Sequence, residues 1–277
     1  MSDLILYKSN EIIENFIFNA SETELQILNY AVAITNPNWE NKNLVYKITI
    51  PELVSAYKTK SNNAYNHYRD ALRKLMRREY KFINSAGHLV TENMVIRTTE
   101  DPDDNTWLEF KFNEYISSRL SNLSGLFTKY DIKNIAMFKS KYAFILYDFF
   151  RMKLDQMPDG VKVYLQKIRV SDFKTNLGIS DNYKRFSNLQ NKVLDVAKLN
   201  INKHSNIKIS YEVIKTGRTP THIKFTVSYK KKIAPRATQV EHQDEIAFDT
   251  TIEEPETKTD SSKAKAILAN LKKGIFN

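Results

Sequence analysis

Asn182-Tyr-Lys-Arg-Phe-Ser-Asn-Leu-Gln-Asn-Lys-Val-Leu-Asp-Val-Ala-Lys-Leu-Asn200 decides how this chain is read. On a 100° wheel Phe186, Leu189, Val193, Val196 and Ala197 fall on one arc. Lys184, Arg185, Asn188, Asn191 and Lys192 fall on the opposite arc, joined only by Asp195. The pattern predicts a long helix over about 182–200 with one buried side and one polar side. Upstream stand a strand-like Val161 to Ile168, a short helix Ser171 to Leu177 and a turn at Gly178-Ile-Ser-Asp181. Downstream, Ile207, Ile209, Tyr211 and Val213 alternate. A turn at Thr216-Gly-Arg-Thr-Pro220 leads to a second alternation at Ile223, Phe225 and Val227. That is a hairpin with a basic tip. Strand, short helix, turn, long helix and basic hairpin form the plan of a winged helix-turn-helix.

The same order occurs earlier in the chain. Tyr46, Ile48 and Ile50 alternate as a strand, and Pro51 suits the first turn of a helix to about Tyr57. A polar turn, Lys58 to Asn63, precedes a helix to about Glu79. Phe82-Ile83, a turn near Ser85-Ala-Gly87, Val95-Ile96 and the alternation Leu108, Phe110, Phe112 read as a small antiparallel sheet. A shift of 120 aligns Ile50, Leu53 and Tyr57 with Val170, Phe173 and Leu177. A shift of 121 aligns Tyr65, Tyr68, Leu72, Leu75 and Met76 with Phe186, Leu189, Val193, Val196 and Ala197. Eight apolar positions thus match with one insertion, which reads as an internal duplication.

Outside the repeats, Ser21-Glu-Thr-Glu24 is a capping box before Leu25, Leu28, Ala31 and Val32. Residues 113–153 are helical in outline, with Ile132, Ile135, Tyr142, Ile145, Leu146 and Phe149 at helical spacing. Met157-Pro-Asp-Gly160 ends that region. Beyond Lys232 the composition turns to Pro, Thr, Glu and Asp, read as a flexible tail with a short helix over Ser262 to Phe276. The expected fold class is therefore α+β: two tandem winged helix-turn-helix domains with small antiparallel sheets and a C-terminal tail. The expected divisions are 1–125, 126–232 and 233–277.

The chain has 277 residues, 42 Lys and Arg, 32 Asp and Glu, and a net charge of +10. Residues 241–277 hold eight acidic and five basic residues, −3, so residues 1–240 carry +13. A basic body reads as a polyanion binder. With no cysteine there is no disulfide framework and no thiolate metal site. No apolar run is long enough to cross a bilayer, and the start lacks a secretory pattern. Among 6 Gly the closest two, Gly160 and Gly178, are 18 apart, which excludes a P-loop and a G-x-G-x-x-G turn.

Double-stranded DNA is the polyanion that this plan suits. Arg can span guanine O6 and N7, Asn can pair with adenine N6 and N7, and Lys suits phosphate or guanine. The second long helix offers Asn182, Tyr183, Lys184, Arg185, Asn188, Asn191 and Lys192. Lys184, Arg185 and Asn188, at its expected start, are the candidate base readers. Lys215 and Arg218 at the hairpin tip are candidate phosphate contacts. On the first long helix Asn66, Arg69, Arg73 and Arg77 lie away from the core arc, beside Asp70. Arg77 and Arg78 also complement a helix C-terminus.

These residues resemble the initiator replication proteins of iteron-containing, theta-replicating plasmids. The resemblance covers roughly residues 10–230. It is carried by Ala20-Ser-Glu-Thr-Glu-Leu-Gln-Ile-Leu-Asn-Tyr30, Phe110-Lys-Phe112, Leu126-Phe-Thr-Lys-Tyr130 and Ser140-Lys-Tyr-Ala-Phe-Ile-Leu-Tyr-Asp-Phe-Phe150. Tyr183-Lys-Arg-Phe186 through Val193-Leu-Asp-Val-Ala197, Ile207-Lys-Ile-Ser-Tyr-Glu212 and Gly217-Arg218 continue it. The chain departs at Ala143 and Phe144, where many relatives carry a basic residue. The resemblance implies that the C-terminal domain is the principal sequence reader. It implies an N-terminal domain with a second DNA contact and the dimer interface. Monomers are implied to bind direct repeats at a plasmid origin, and dimers an inverted-repeat operator of the initiator's own gene. Origin opening, host initiator and replicative helicase as partners, and a cytoplasmic setting complete what it implies.

An enzyme is the competing class. A relaxase-type initiator needs a His-x-His pair, yet His67, His88, His204, His222 and His242 are all isolated. Asp103-Asp104 beside Pro102 reads as an acidic loop rather than a nuclease centre. No catalytic residue, cofactor or metal is expected, and no membrane partner. A winged-helix transcriptional regulator without a replication role is the nearer alternative. Direct repeats around the gene would separate the two.

Overall fold

The computed structural model describes residues 4–15, 20–35, 45–59, 62–83, 86–120, 126–158, 161 and 163–230. The expected tail and its terminal helix lie outside them. The first half opens with β1 (Ile5–Ser9), α1 (Asn10–Asn15) and α2 (Glu22–Ile34). The Ser21 capping box forms: Ser21 Oγ accepts from Glu24 N–H, and the Glu24 carboxylate accepts from Ser21 N–H. β2 (Val45–Thr49) leads directly into α3 (Ile50–Tyr57). Thr49 and Glu52 make a second capping box there, with Pro51 in the first turn. Lys58, at φ 48°, ends α3 in the left-handed region.

α4 (Ala64–Leu75), β3 (Glu79–Ile83), β4 (Leu89–Asn93), β5 (Val95–Thr99), β6 (Trp107–Phe112) and α5 (Glu114–Leu120) complete this half. α4 stops at Leu75 rather than near Glu79. Arg77 and Arg78 donate their N–H groups three residues back, to Lys74 and Leu75, and tighten the turn that releases Glu79 into β3. The sheet is antiparallel in the order β2-β6-β5, and β3 and β4 pair as a separate hairpin. Tyr46, Ile48, Leu108, Phe110 and Phe112 bury one face of the sheet.

The stretch 113–153 is not one helical region. α5 is followed by β7 (Phe127–Asp131), a 3-10 turn (Ile132–Asn134) and α6 (Lys141–Asp155). β7 pairs antiparallel with β1, from Ile5 opposite Asp131 to Ser9 opposite Phe127. Phe127, Thr128 and Tyr130 are buried by that pairing. Lys8 hid β1 from a reading by hydropathy. It is buried because its ammonium donates to Asp148 of α6. The division drawn at 125/126 therefore falls just before a strand that returns to the N-terminus.

The second half runs β8 (Val163–Arg169), α7 (Val170–Asn176), α8 (Phe186–Leu189), a π turn (Gln190–Leu194), α9 (Asp195–His204), β9 (Ile207–Thr216) and β10 (Thr219–Tyr229). Its sheet order, β8-β10-β9, repeats β2-β6-β5. The duplication is thus visible as topology, with β3 and β4 as an insert. The chain is α+β and carries two winged-helix domains. From within the π turn the offset becomes 122: Ala71, Leu72 and Leu75 correspond to Val193, Leu194 and Ala197, all buried. The extra residue explains why Val196, aligned with Leu75 by a shift of 121, is only half-buried.

α6 belongs to both halves. Toward the first, Asp148 accepts from Lys8 and from the Tyr130 hydroxyl. Toward the second, Phe150 meets Phe225 with ring centroids 5.0 Å apart, and Phe173 meets Phe225 at 5.7 Å. Ala143 and Phe144 are both buried on α6. Arg151 is buried beside Asp155 and Tyr229, and its guanidinium also donates to the Lys129 carbonyl of β7 at 3.0 Å.

Candidate nucleic-acid interface

The second long helix begins at Phe186, four residues later than its periodicity suggests. Tyr183 sits at φ 54°, which no right-handed helix accepts. Arg185 is extended, at φ −89° and ψ 128°, and its carbonyl receives the N–H of Asn188 at 3.0 Å. Asn182, Tyr183, Lys184 and Arg185 therefore form a loop feeding the helix N-terminus rather than its first turn. Asn182, Lys184 and Arg185 are exposed there, and so are Asn188, Asn191 and Lys192 along the helix. All six side chains are therefore open to solvent. The apolar arc, Leu189, Val193, Leu194, Ala197 and Ile201, is buried beneath.

Tyr183 differs from its neighbours. Its hydroxyl lies 3.0 Å from the Tyr142 hydroxyl on α6, with the rings edge-on at 6.5 Å. Burial, and then the bond with Tyr183, hold the Tyr142 phenol well above its ordinary range, so it stays protonated at neutral pH. Asp195, the one acid on the polar arc, is drawn to the sheet: the Tyr211 hydroxyl donates to its carboxylate at 2.6 Å. Burial and that contact push the Tyr211 phenol up to about 12. Asp195 is half-buried by that contact, while Asp181 is exposed beside Asn182.

The π turn is the feature that periodicity missed. Its hydrogen bond spans five residues instead of four, from the Asp195 N–H to the Gln190 carbonyl, and the wider turn lets Val193 and Leu194 both be buried while Asn191 and Lys192 stay outside. The only local signal was two adjacent apolar residues, Val193-Leu194, on an otherwise one-sided helix. Tyr142 was the other miss: it counted as one of many apolar positions of α6, and its hydroxyl partner is 41 residues away.

The hairpin tip is the two-residue loop Gly217-Arg218 between Thr216 and Thr219. Gly217 is at φ 60°, as at the first central position of a II′ turn. Lys215 and Arg218 are exposed at this tip. On the strands behind, Lys224 faces Glu212 at 3.9 Å.

The first long helix, α4, presents a more compensated face. Arg73 is held by Glu100 through two hydrogen bonds. Arg69 lies 5.6 Å from the Tyr65 ring centre and 3.4 Å from Asp70. Asn66 donates to Asn63 at the helix start. Arg77 is exposed just past the helix end. Arg78 turns inward and clamps the buried Glu24 at 2.9 Å through both oxygens. Burial raises the Glu24 pKa, but hydrogen bonds from Arg78 and Ser21 and the charge of Arg78 outweigh it and leave the carboxyl below its ordinary range.

Among the described residues no group of three or more His, Asp or Glu is placed to hold a metal ion. No helix among them is long and apolar enough to cross a membrane. His204 is pushed below its ordinary pKa by burial and by Lys203, Lys230 and Lys139, a sign of the positive field around the end of α9.

The sequence pattern described as Initiator Replication protein, WH1, matches residues 5–151, and that described as Initiator Rep protein, WH2, matches residues 169–227. A replication initiation protein of Escherichia coli is 27% identical over 239 residues, spanning 84% of this chain and 72% of that protein. A crystal structure of Pi initiator protein in complex with iteron DNA superposes with a TM-score of 0.67 at 19% identity. That likeness covers 83% of this chain and 99% of the other, and it is a likeness of fold.

Proposed function

Because the chain belongs to the initiator replication protein family and carries both its WH1 and WH2 domains, we propose that it initiates plasmid DNA replication by binding direct repeats at the origin. One observation carries this reading. Asn182, Lys184, Arg185, Asn188, Asn191 and Lys192 are all exposed at and along the helix start, Asp195 is held by Tyr211, and the wing tip exposes Lys215 and Arg218. Arg185, Lys184 and Asn188 read base edges at the helix start, and Lys215 and Arg218 hold phosphate.

Residues 126–232 form the main reader in this proposal. Residues 1–125 supply a secondary DNA contact through Asn66, Arg69, Arg73 and Arg77, together with the dimer interface. Two long helices in successive major grooves on one face of the duplex lie about 10 bp apart, so a monomer covers roughly 20 bp. The monomer opens the origin with the host initiator and replicative helicase, in the bacterial cytoplasm. The dimer represses the chain's own gene at an inverted repeat. Related proteins support this reading through their names: one is a replication initiation protein, and one was crystallised with iteron DNA.

Footprinting on the DNA flanking its own gene tests the proposal. It predicts a series of protected direct repeats of one orientation, each about 20 bp. Protection limited to a promoter, with no repeated array, would instead support a transcriptional regulator.

A further inference from the structure

The reading loop Asn182 to Arg185 hangs on one unusual residue. Tyr183 is one of two described non-glycine residues with positive φ, the other being the helix-ending Lys58. Left-handed backbone is unfavourable for a residue with a Cβ, and it persists where the surroundings hold it. Here the surroundings are the Tyr142 ring and hydroxyl. Tyr142 is itself well fixed, being buried in the first turn of α6. Just ahead of that turn, the Lys139 N–H donates to the Asn200 side chain of α9 at 2.8 Å. One helical stretch further on, Asp148 anchors α6 to β1 and β7 of the first half.

We infer that Tyr142 and Tyr183 are positioning residues for DNA reading, a hydroxyl-to-hydroxyl strap that fixes the loop and aims Lys184 and Arg185 at the base edges. Lys184 and Arg185 follow Tyr183 immediately, so a change in its φ redirects both side chains relative to the helix start, where the Asn188 N–H meets the Arg185 carbonyl. The strap also refers the reading loop to the helix that both halves share. Tyr183, placed by its position among the contact residues, then acts inward on Tyr142. This inference rests on the proposed role of Arg185 in base reading.

The test uses the intact protein and a duplex of about 20 bp selected by that protein from random sequence, the length set by the two-helix spacing. Affinity for this duplex is compared with affinity for a scrambled duplex of the same composition, and thermal midpoints are measured alongside. Tyr142→Phe and Tyr183→Phe each keep the ring and remove one hydroxyl. Each should reduce the preference for the selected duplex about 2- to 10-fold, the range of one hydrogen bond. The double variant should lose no more than either single one, because both remove the same bond. Lower thermal midpoints with the preference intact would make the strap merely structural and overturn the inference, and so would losses that add in the double variant. Arg185→Ala separates the two layers. If it relaxes the preference while the Phe variants do not, the strap fails and the base-reading role stands. If it leaves the preference intact, both fall.

Discussion

Arg73 and Glu100 form a two-point ion pair across the face that α4 would turn to DNA, with Nε to Oε1 at 3.0 Å and a terminal nitrogen to Oε2 at 2.8 Å. Glu100 begins the acidic loop after β5. It neutralises a cation on the surface of the first half, whereas Lys184, Arg185 and Lys192 of the second half are all exposed. On the proposed function this makes the first half the weaker of two DNA contacts. Glu100→Gln frees Arg73 for phosphate and removes a repelling charge. It should tighten DNA binding and steepen the dependence of log affinity on log salt by about one unit. Salt titrations by fluorescence anisotropy measure this, and an unchanged slope would mean that Arg73 does not reach the duplex.

Arg185 should behave differently. It is exposed at the very start of α8, the end that the proposed function sets against the base edges. Arg185→Ala should cost about 1–3 kcal/mol on the recognised repeat and relax discrimination at a single base position. Competition with a set of singly substituted duplexes would show it. Equal losses on every duplex would reassign Arg185 to phosphate.

Most of the fold could be read from the chain because its elements are local and one-sided. The capping box at Ser21, Pro51 in the first turn of α3, the alternation Leu108-Phe110-Phe112 and the arc Leu189-Val193-Ala197 each declare themselves within a few residues. What escaped the reading depends on distant partners. β1 carries Lys8 in the middle of its buried face, and only Asp148, 140 residues away, makes that burial tolerable. β7 looked helical because its own partner is β1. The candidate site divides the same way. The polar arc was legible by periodicity. The loop conformation at Tyr183 was not, since it depends on Tyr142 from another helix, and neither was the π turn, which changes the period itself.

The wing makes a prediction about backbone and charge together. A Cβ at Gly217 would meet nothing within 4 Å, so the cost of Gly217→Ala is conformational alone, from φ 60°. That cost is about 1–2 kcal/mol for a single residue forced left-handed. Chemical denaturation should show this loss. Arg218→Gln leaves the turn intact and should instead lower the salt slope by about one unit, with similar losses on all sequences. A sequence-selective loss would contradict the phosphate role.

Glu24 links the start of α2 to the end of α4. Its carboxyl is fully buried, caps Ser21 and receives both arms of Arg78. Its pKa in the folded chain lies below the ordinary value near 4.5. A lowered pKa means that the unfolded chain binds the proton more readily, so the group's contribution is present above about 4.5 and is lost as pH falls through the folded value. Glu24→Gln keeps the capping geometry but removes the charge, and should destabilise by about 1–3 kcal/mol at neutral pH. The gap between the two proteins should narrow as the pH is taken below 4.5. Urea midpoints at pH 7 and in acid provide the comparison, and a gap that widens in acid would reverse the assignment.

The Arg151 cluster extends the same logic to the junction of the halves. Arg151 and Asp155 have side-chain exposures of 1% and 3%, and Tyr229 of β10 receives a hydrogen bond from the first and donates one to the second. A buried ion pair gives little net stability, yet removing one partner strands the other charge. Arg151→Met should therefore cost about 3–5 kcal/mol, while Arg151→Met with Asp155→Leu should recover most of that loss. The guanidinium also holds the Lys129 carbonyl of β7, a strand paired with β1 of the first half. Part of the loss is accordingly one of docking. Hydrogen exchange should show β1 and β7 opening together in the single variant and more readily than α4. If protection falls evenly over both halves instead, Arg151 stabilises the chain as a whole and does not tie its two winged helices to one another.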